Sequence, residues 1–406
     1  MKSKCWLLAA IPLFFACGTG GGADWPQWRG PQRDGISSET GLSDQWPDAG
    51  PRLVWQAIDV GWGYSTPSVV GDRLYLISNV RNGDTIGDES VRACSTADGS
   101  LIWETRIGKV GSPDQRPPYP GSRSTPTVDG QVLFALGSDG DLVCLGTSSG
   151  DVRWQKNLRT EFGGEPGEWA YSESPLVDGE RVVCTPGGKD AAIVALNKDS
   201  GEVIWRTALA EAEEAAYASI VPISVDGQKQ YVQFLGKGLV GVDADSGKVL
   251  WRYDRTAEGS PANIPTPVTQ ANFVYSASGR GGSALVKVAG NTADEVYFSS
   301  ELPNAIGGAV RVGDYLYGTR SQGLVCSEFS TGEIQWSDRS IGAASICFAD
   351  GNLYLHGENG DVALVEATPE EYREKGRFRC RISPTEAAPK RGHTLSSPMG
   401  DFTCAI

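Results

Sequence analysis

Two histidines and two methionines in 406 residues leave little from which to build a histidine triad or a histidine-rich metal centre. The histidines are His356, which reads as a turn residue, and His393, which lies in an atypical C-terminal stretch. No two of the nine cysteines are adjacent. No run beyond the amino terminus approaches 18 uninterrupted apolar residues, so no membrane-spanning helix is expected. There is no basic block, and a formal net charge of −14 opposes binding to phosphate backbones, which argues against nucleic acid as a partner.

Lys2 and Lys4 precede a short apolar run at 5–15, the layout of a secretory signal. Phe14-Phe15-Ala16-Cys17 resembles a bacterial lipobox, with Cys17 as the acylated residue and residues 18–22 as a tether. Phe14 stands where that pattern usually has Leu, and the other reading is ordinary cleavage near Ala16 or Ala23. The expected address is the periplasm, or the outer membrane through a lipid anchor alone.

What is abundant is glycine, at 52 residues, and tryptophan, at 12. Both fall in a repeat. LVGVDADSGKVLW, ending at Trp251, is an apolar strand, an Asp/Ser/Gly turn and a second strand, the signature of a β-hairpin. The same text ends at Trp103, Trp154, Trp205 and Trp336, with turn glycines Gly99, Gly150, Gly201, Gly247 and Gly332. The Trp positions stand 51, 51, 46 and 85 residues apart; the last is a double step containing a degraded copy, with Tyr297 or Phe298 in the Trp place. Cys94, Cys144 and Cys326 read as one repeat slot, which Ala195 fills elsewhere, and no spacing argues for a disulfide. A second hairpin precedes each of these, opening on Ser/Thr-Pro at Thr66, Thr125 and Ser174 and turning at Asp/Gly.

Two hairpins per period of 40 to 50 residues describe a four-stranded propeller blade. The repeat resembles that of the pyrroloquinoline-quinone-like (PQQ-like) β-propeller family, from Trp25 onward. The resemblance implies an all-β PQQ-like propeller, with blades expected at 64–108, 122–159, 172–209, 218–254, 264–302, 305–341 and 343–382. A lone strand at 52–58 implies an eighth, incomplete blade; seven blades is the alternative.

Residues 24–50 form a non-repeat strap, with Trp25, Trp28 and Trp46 expected to pack on the propeller 51–391. The tail 392–406 departs from the repeat. A nucleotide string encoding GHTLSSPMGDFTCA encodes AHPVVADGRLYLRD when read from its third base, a blade-like hairpin, so the tail reads as frameshifted.

Two inter-blade loops, 108–123 and 160–174, are longer than turns require, and Arg123, Trp169 and Tyr171 are the candidate partner-binding residues. Gly279 to Ala284 superficially match a dinucleotide pattern but read as a hairpin turn, without a following helix. Glu213-Glu214 and Glu370-Glu371 read as solvated charges, and 208–216 as one helical turn.

Quinoprotein dehydrogenases of this superfamily place their quinone over a vicinal Cys-Cys bridge beside Ca²⁺ and a catalytic Asp. No motif here carries those residues over, and a shared repeat is a statement about fold. Secreted or lipid-anchored eight-bladed members imply a non-catalytic scaffold that binds a protein or an envelope polymer, with no cofactor or metal and no catalytic residue. The alternative is a PQQ- and Ca²⁺-dependent oxidoreductase.

Overall fold

The computed structural model describes residues 22–57, 60–82, 85–111, 121–260, 262–339, 341–379 and 402–405. Cys17 and residues 392–401 therefore lie outside the described residues. Within them, seven antiparallel sheets of four strands follow one another at 68–108, 127–157, 176–207, 221–253, 268–299, 309–338 and 344–379. Between all successive sheets but the third and fourth, the first strands pack closely on one another, so they line the axis of a ring and the fourth strands form its rim. This is a β-propeller.

An eighth sheet holds two strands, with Leu53–Ala57 paired antiparallel to Phe402–Ala405. Among the described residues the ring is thus seven four-stranded blades and two strands of an eighth.

Alternation of the strands explains the layering. In blade 2, Phe134 and Cys144 pack toward blade 3, while Leu133, Ala135, Val143 and Leu145 pack toward blade 1. In blades 1, 2 and 3 the closing Trp lies on the forward flank and clasps the next blade, whereas Trp251 of blade 4 donates within its own blade, to Gln230 Oε1 at 2.7 Å. Trp103 Nε1 donates to Thr147 O at 3.0 Å, Trp154 Nε1 to Lys198 O at 2.8 Å and Trp205 Nε1 to Ala244 O at 3.1 Å. The indole also covers the turn glycine of that blade. Gly150 has φ +75°, and a Cβ there would lie 2.5 Å from the Trp103 ring, so both backbone and space demand glycine. In blade 5 Tyr297 fills the slot and donates to Phe329 O at 3.0 Å. Trp55 of the lone strand does the same to blade 1, donating to Thr96 O at 2.8 Å, which marks that strand as the outer strand of blade 8.

Blade 7 breaks the rule in an informative way. Register places Gly376 opposite Leu364, in the slot where Trp336 faces Cys326 in blade 6. The strap supplies the missing ring: Trp46 packs 2.6 Å from where a Gly376 Cβ would be, against Tyr354 and edge-on to Phe378. Trp46 N donates to Lys375 O at 3.0 Å.

The flank of blade 1 that faces blade 8 is also exceptional. Arg92 stands where blades 2, 3 and 4 bury Val143, Val194 and Val240, and pairs with Glu104 at 3.1 Å. Beside it a cavity of about 360 Å³ is lined by Ala57, Val60, Cys94 and Leu101 among others.

Several sequence expectations are corrected. Cys94 is one residue out of the shared slot, which Ala93 occupies opposite Trp103. His356 lies in the strand Asn352–Gly357. Glu213 is buried and forms a bidentate pair with Arg252 at 2.6 and 3.2 Å. Residues 208–216 are not helical; the α-helix among the described residues is Leu158–Phe162, where Asn157 caps the Arg159 and Thr160 amides and Gly163 supplies the left-handed exit.

Trp205→Ala should cost roughly 3–5 kcal/mol, read as a lower urea midpoint. Val203→Ala, two residues away and 41% exposed, should stay within about 1 kcal/mol. Trp46→Ala should also lower the midpoint, an effect absent if the strap merely lies on the surface.

Candidate partner-binding site

In an antiparallel four-stranded blade the first and third turns lie on one face, while the middle turn and the inter-blade segments share the other. That second face carries the long loops. Four consecutive inter-blade segments contribute one side chain each: Tyr64 before blade 1, Arg123 before blade 2, Trp169 before blade 3 and Tyr217 before blade 4.

The Arg123 guanidinium lies 5.3 Å from the centre of the Tyr64 ring and donates through Nη1 to Gly121 O at 3.1 Å and Trp169 O at 3.0 Å. The Trp169 ring meets Tyr217 edge-on at 5.8 Å, and its backbone N donates to Tyr217 Oη at 3.2 Å. Burial lowers the Arg123 pKa and raises that of Tyr217 to about 12. Arg123 and Trp169 are thus brought together, as the loop lengths suggest. Tyr171 is not part of this surface: it is 1% exposed, packs over Gly140 and donates to Pro186 O at 2.8 Å. Its aromatic ring closes the loop onto its own blade. Residues 112–120 of the first loop lie outside the described residues.

Beneath the arc are polar groups that the sequence reading missed. Glu89 is fully buried and accepts from Ser122 Oγ at 2.8 Å, Ser138 N at 2.7 Å and Ser138 Oγ at 2.5 Å, while Ser138 Oγ accepts from Gly111 N at 2.8 Å. Both stems of the first long loop are therefore fastened to one carboxyl group. Glu173 is equally buried and accepts from Thr185 N at 2.7 Å. Its other oxygen has no partner in the structure. Burial raises Glu89 to about 7 and Glu173 to about 8, against the hydrogen bonds that favour their ionised forms. The signal that could have flagged Glu89 is an acidic residue within a strand otherwise paired on both sides.

The Ser/Thr-Pro openings have a second role besides extending the chain. Ser65 Oγ donates to Ser124 O at 2.7 Å, Thr125 N to Ser174 Oγ at 2.9 Å, and Ser174 N to Ser219 Oγ at 3.0 Å, linking blades 1 to 4 around the axis.

The axis itself is filled by the strap. Trp25 bridges Val69 of blade 1, Pro26 O accepts from Val128 of blade 2, Arg33 reaches Ser174 and Pro175 before blade 3, Trp28 donates to Thr266 before blade 5, Arg29 to Ala309 of blade 6, and Ile36 bridges Phe348 of blade 7. Cys94, Cys144, Cys184, Cys326 and Cys347 are free, and among the described residues no three His, Cys, Asp or Glu side chains gather as metal ligands would.

A family model described as outer membrane protein assembly factor BamB matches residues 87–338, more than half of the chain. The chain belongs to this family. BamB of Burkholderia pseudomallei is 24% identical over 399 residues, covering 87% of this chain and 95% of that one. BamB of Yersinia pestis is 27% identical over 175 residues, a match that spans 41% of this chain and 40% of the relative. Among solved structures, BamB from Moraxella catarrhalis superposes with a TM-score of 0.57 at 16% identity, over 81% of this chain and 91% of that one, a likeness of fold.

A carboxyl group whose pKa is raised on folding binds its proton more tightly in the native state, so stability is present at low pH and lost as pH rises through the folded value. Glu89 and Glu173 should make the melting temperature fall between pH 5 and pH 8.5. Glu89→Gln with Glu173→Gln should flatten that fall; an unchanged pH profile would show that other groups cause it.

Proposed function

We propose that this chain is an exported, non-catalytic scaffold of the cell envelope, docking a protein partner on blades 1 to 4. The observation that carries the proposal is the arc of Tyr64, Arg123, Trp169 and Tyr217, one residue from each of four consecutive inter-blade segments. Rigidly held aromatic and Arg side chains are the composition of interface hot spots, with Tyr64, Arg123 and Trp169 half-buried and the buried Tyr217 backing Trp169, and a closed ring lowers the ordering cost of association.

The BamB relatives are named for outer membrane protein assembly, so the partner class that fits is a component of that process; an envelope polymer is the other. Attachment through a lipid on Cys17 would hold the disk at the membrane. PQQ with Ca²⁺ does not fit the described residues: the axis where it would be sought is occupied by Trp28, Arg29 and Arg33, and no two cysteines are vicinal. The scaffold reading therefore derives no chemical step.

Deleting the gene should lower outer membrane protein yield in the host bacterium, and the wild-type gene should restore it. The double variant Arg123→Ala, Trp169→Ala should fail to restore yield while folding with an intact midpoint. Full restoration by that variant would end the docking reading. Titration with PQQ and Ca²⁺ should give no heat at tens of micromolar; saturable one-to-one binding would instead support the oxidoreductase.

A further inference from the structure

We infer that Arg33 is a positioning residue for the docking arc, fixing the Trp169 loop from inside the axial channel. The inference rests on the docking reading for its functional meaning, but its structural content stands on separate contacts.

Arg33 is 2% exposed, in the middle of a strap segment bonded to six of the seven complete blades. Its guanidinium donates in two directions, through Nη2 to Ser174 O at 2.8 Å and through Nη1 to Pro175 O at 3.1 Å and Gln27 Oε1 at 3.0 Å. A planar fork can hold three acceptors at once, where an ammonium on a flexible stem would hold fewer in fixed geometry.

What it holds is a node. Ser174 Oγ accepts from Thr125 N, two residues after Arg123, and Ser174 N donates to Ser219 Oγ, two residues after Tyr217. Trp169 itself lies five residues before Ser174. One side chain in the channel thus secures the point where three of the four arc-bearing segments are cross-linked.

Two further features mark the site as built for this. Arg33 has φ +57°, a left-handed backbone that non-glycine residues rarely adopt and that persists only where its surroundings enforce it. Glu173, next to Ser174, is buried at 1% with one carboxyl oxygen unpartnered. Arg29 offers an internal comparison. It is also buried and left-handed, at φ +61°, but donates to Ala309 O at 2.5 Å and to Asp34 O, on blade 6 and within the strap. Its hydrogen bonds reach none of the arc-bearing segments, although its charge acts on Arg33.

The test is amide hydrogen exchange on the full, partner-free chain. In Arg33→Met, amides at 121–125, 168–175 and 217–219 should exchange about tenfold faster, while the inner strands Val268–Gln270 and Ala309–Val312 keep their protection. Arg29→Met should loosen 305–312 and leave 168–175 unchanged. If Arg33→Met does not fold, Arg33→Lys should show the same localised pattern with smaller amplitude. Unchanged exchange at 168–175, or acceleration spread evenly over all blades, would overturn the assignment. Because exchange is read without partner, the two proposals fail separately. Localised loosening with full restoration of outer membrane protein yield would remove the docking reading and keep the positioning role. Unchanged exchange with yield still dependent on Trp169 would do the reverse.

Discussion

Blades 1, 2 and 3 are each held to the next blade by an indole that does two things at once, covering a glycine and donating its N–H to a carbonyl of the same turn. Blade packing alone is an unspecific contact of apolar flanks, and it would tolerate sliding. The directional bond from Trp103, Trp154, Trp205 or Trp336 into the next turn fixes how far each blade is rotated against the last. Ring geometry accumulates from that one repeated angle, and the positions of the inter-blade loops follow from it.

The repeat was legible because a hairpin writes itself locally: alternation, turn chemistry and the closing aromatic lie within thirteen residues. The succession of blades and an aromatic at Tyr297 or Phe298 in the degraded copy could be read for the same reason, and register settles the slot on Tyr297. What could not be read depends on contacts across the whole chain. Arg29 meets Ala309 and Arg33 meets Ser174 across separations of 280 and 141 residues, and no local pattern marks an arginine that will be buried in a channel. Glu213 looked solvated because its neighbour Glu214 shares its charge; its partner Arg252 lies on a strand of the next blade. A helix was expected from the composition of 208–216, yet those amides and carbonyls are spent on bonds to other loops, as in Ala215 N to Glu165 O and Gly236 N to Glu214 O.

The arc shows the same division. Arg123 and Trp169 were visible through the length of their loops. Tyr64 and Tyr217 sit in shorter segments with no distinguishing pattern and join the surface only because the ring brings four segments side by side. Tyr171 was misjudged because an aromatic in a long loop serves equally as an anchor for that loop or as a contact for something else; its buried hydroxyl bond decides for the first.

The Trp46–Gly376 contact ties an early segment of the chain to its last complete blade. A chain synthesised from its amino terminus delivers Trp46 long before Gly376, so an early segment has nowhere to settle until nearly all the rest has followed. Until then the strap is without its socket and blade 7 without its aromatic. Contacts of such long sequence separation form late and slow the search, and exposed blade flanks in the meantime are open to wrong pairings. Completion of this fold is therefore a chain-length event: a truncated or stalled product would keep all its early hairpins yet lack the clasp that joins its two ends.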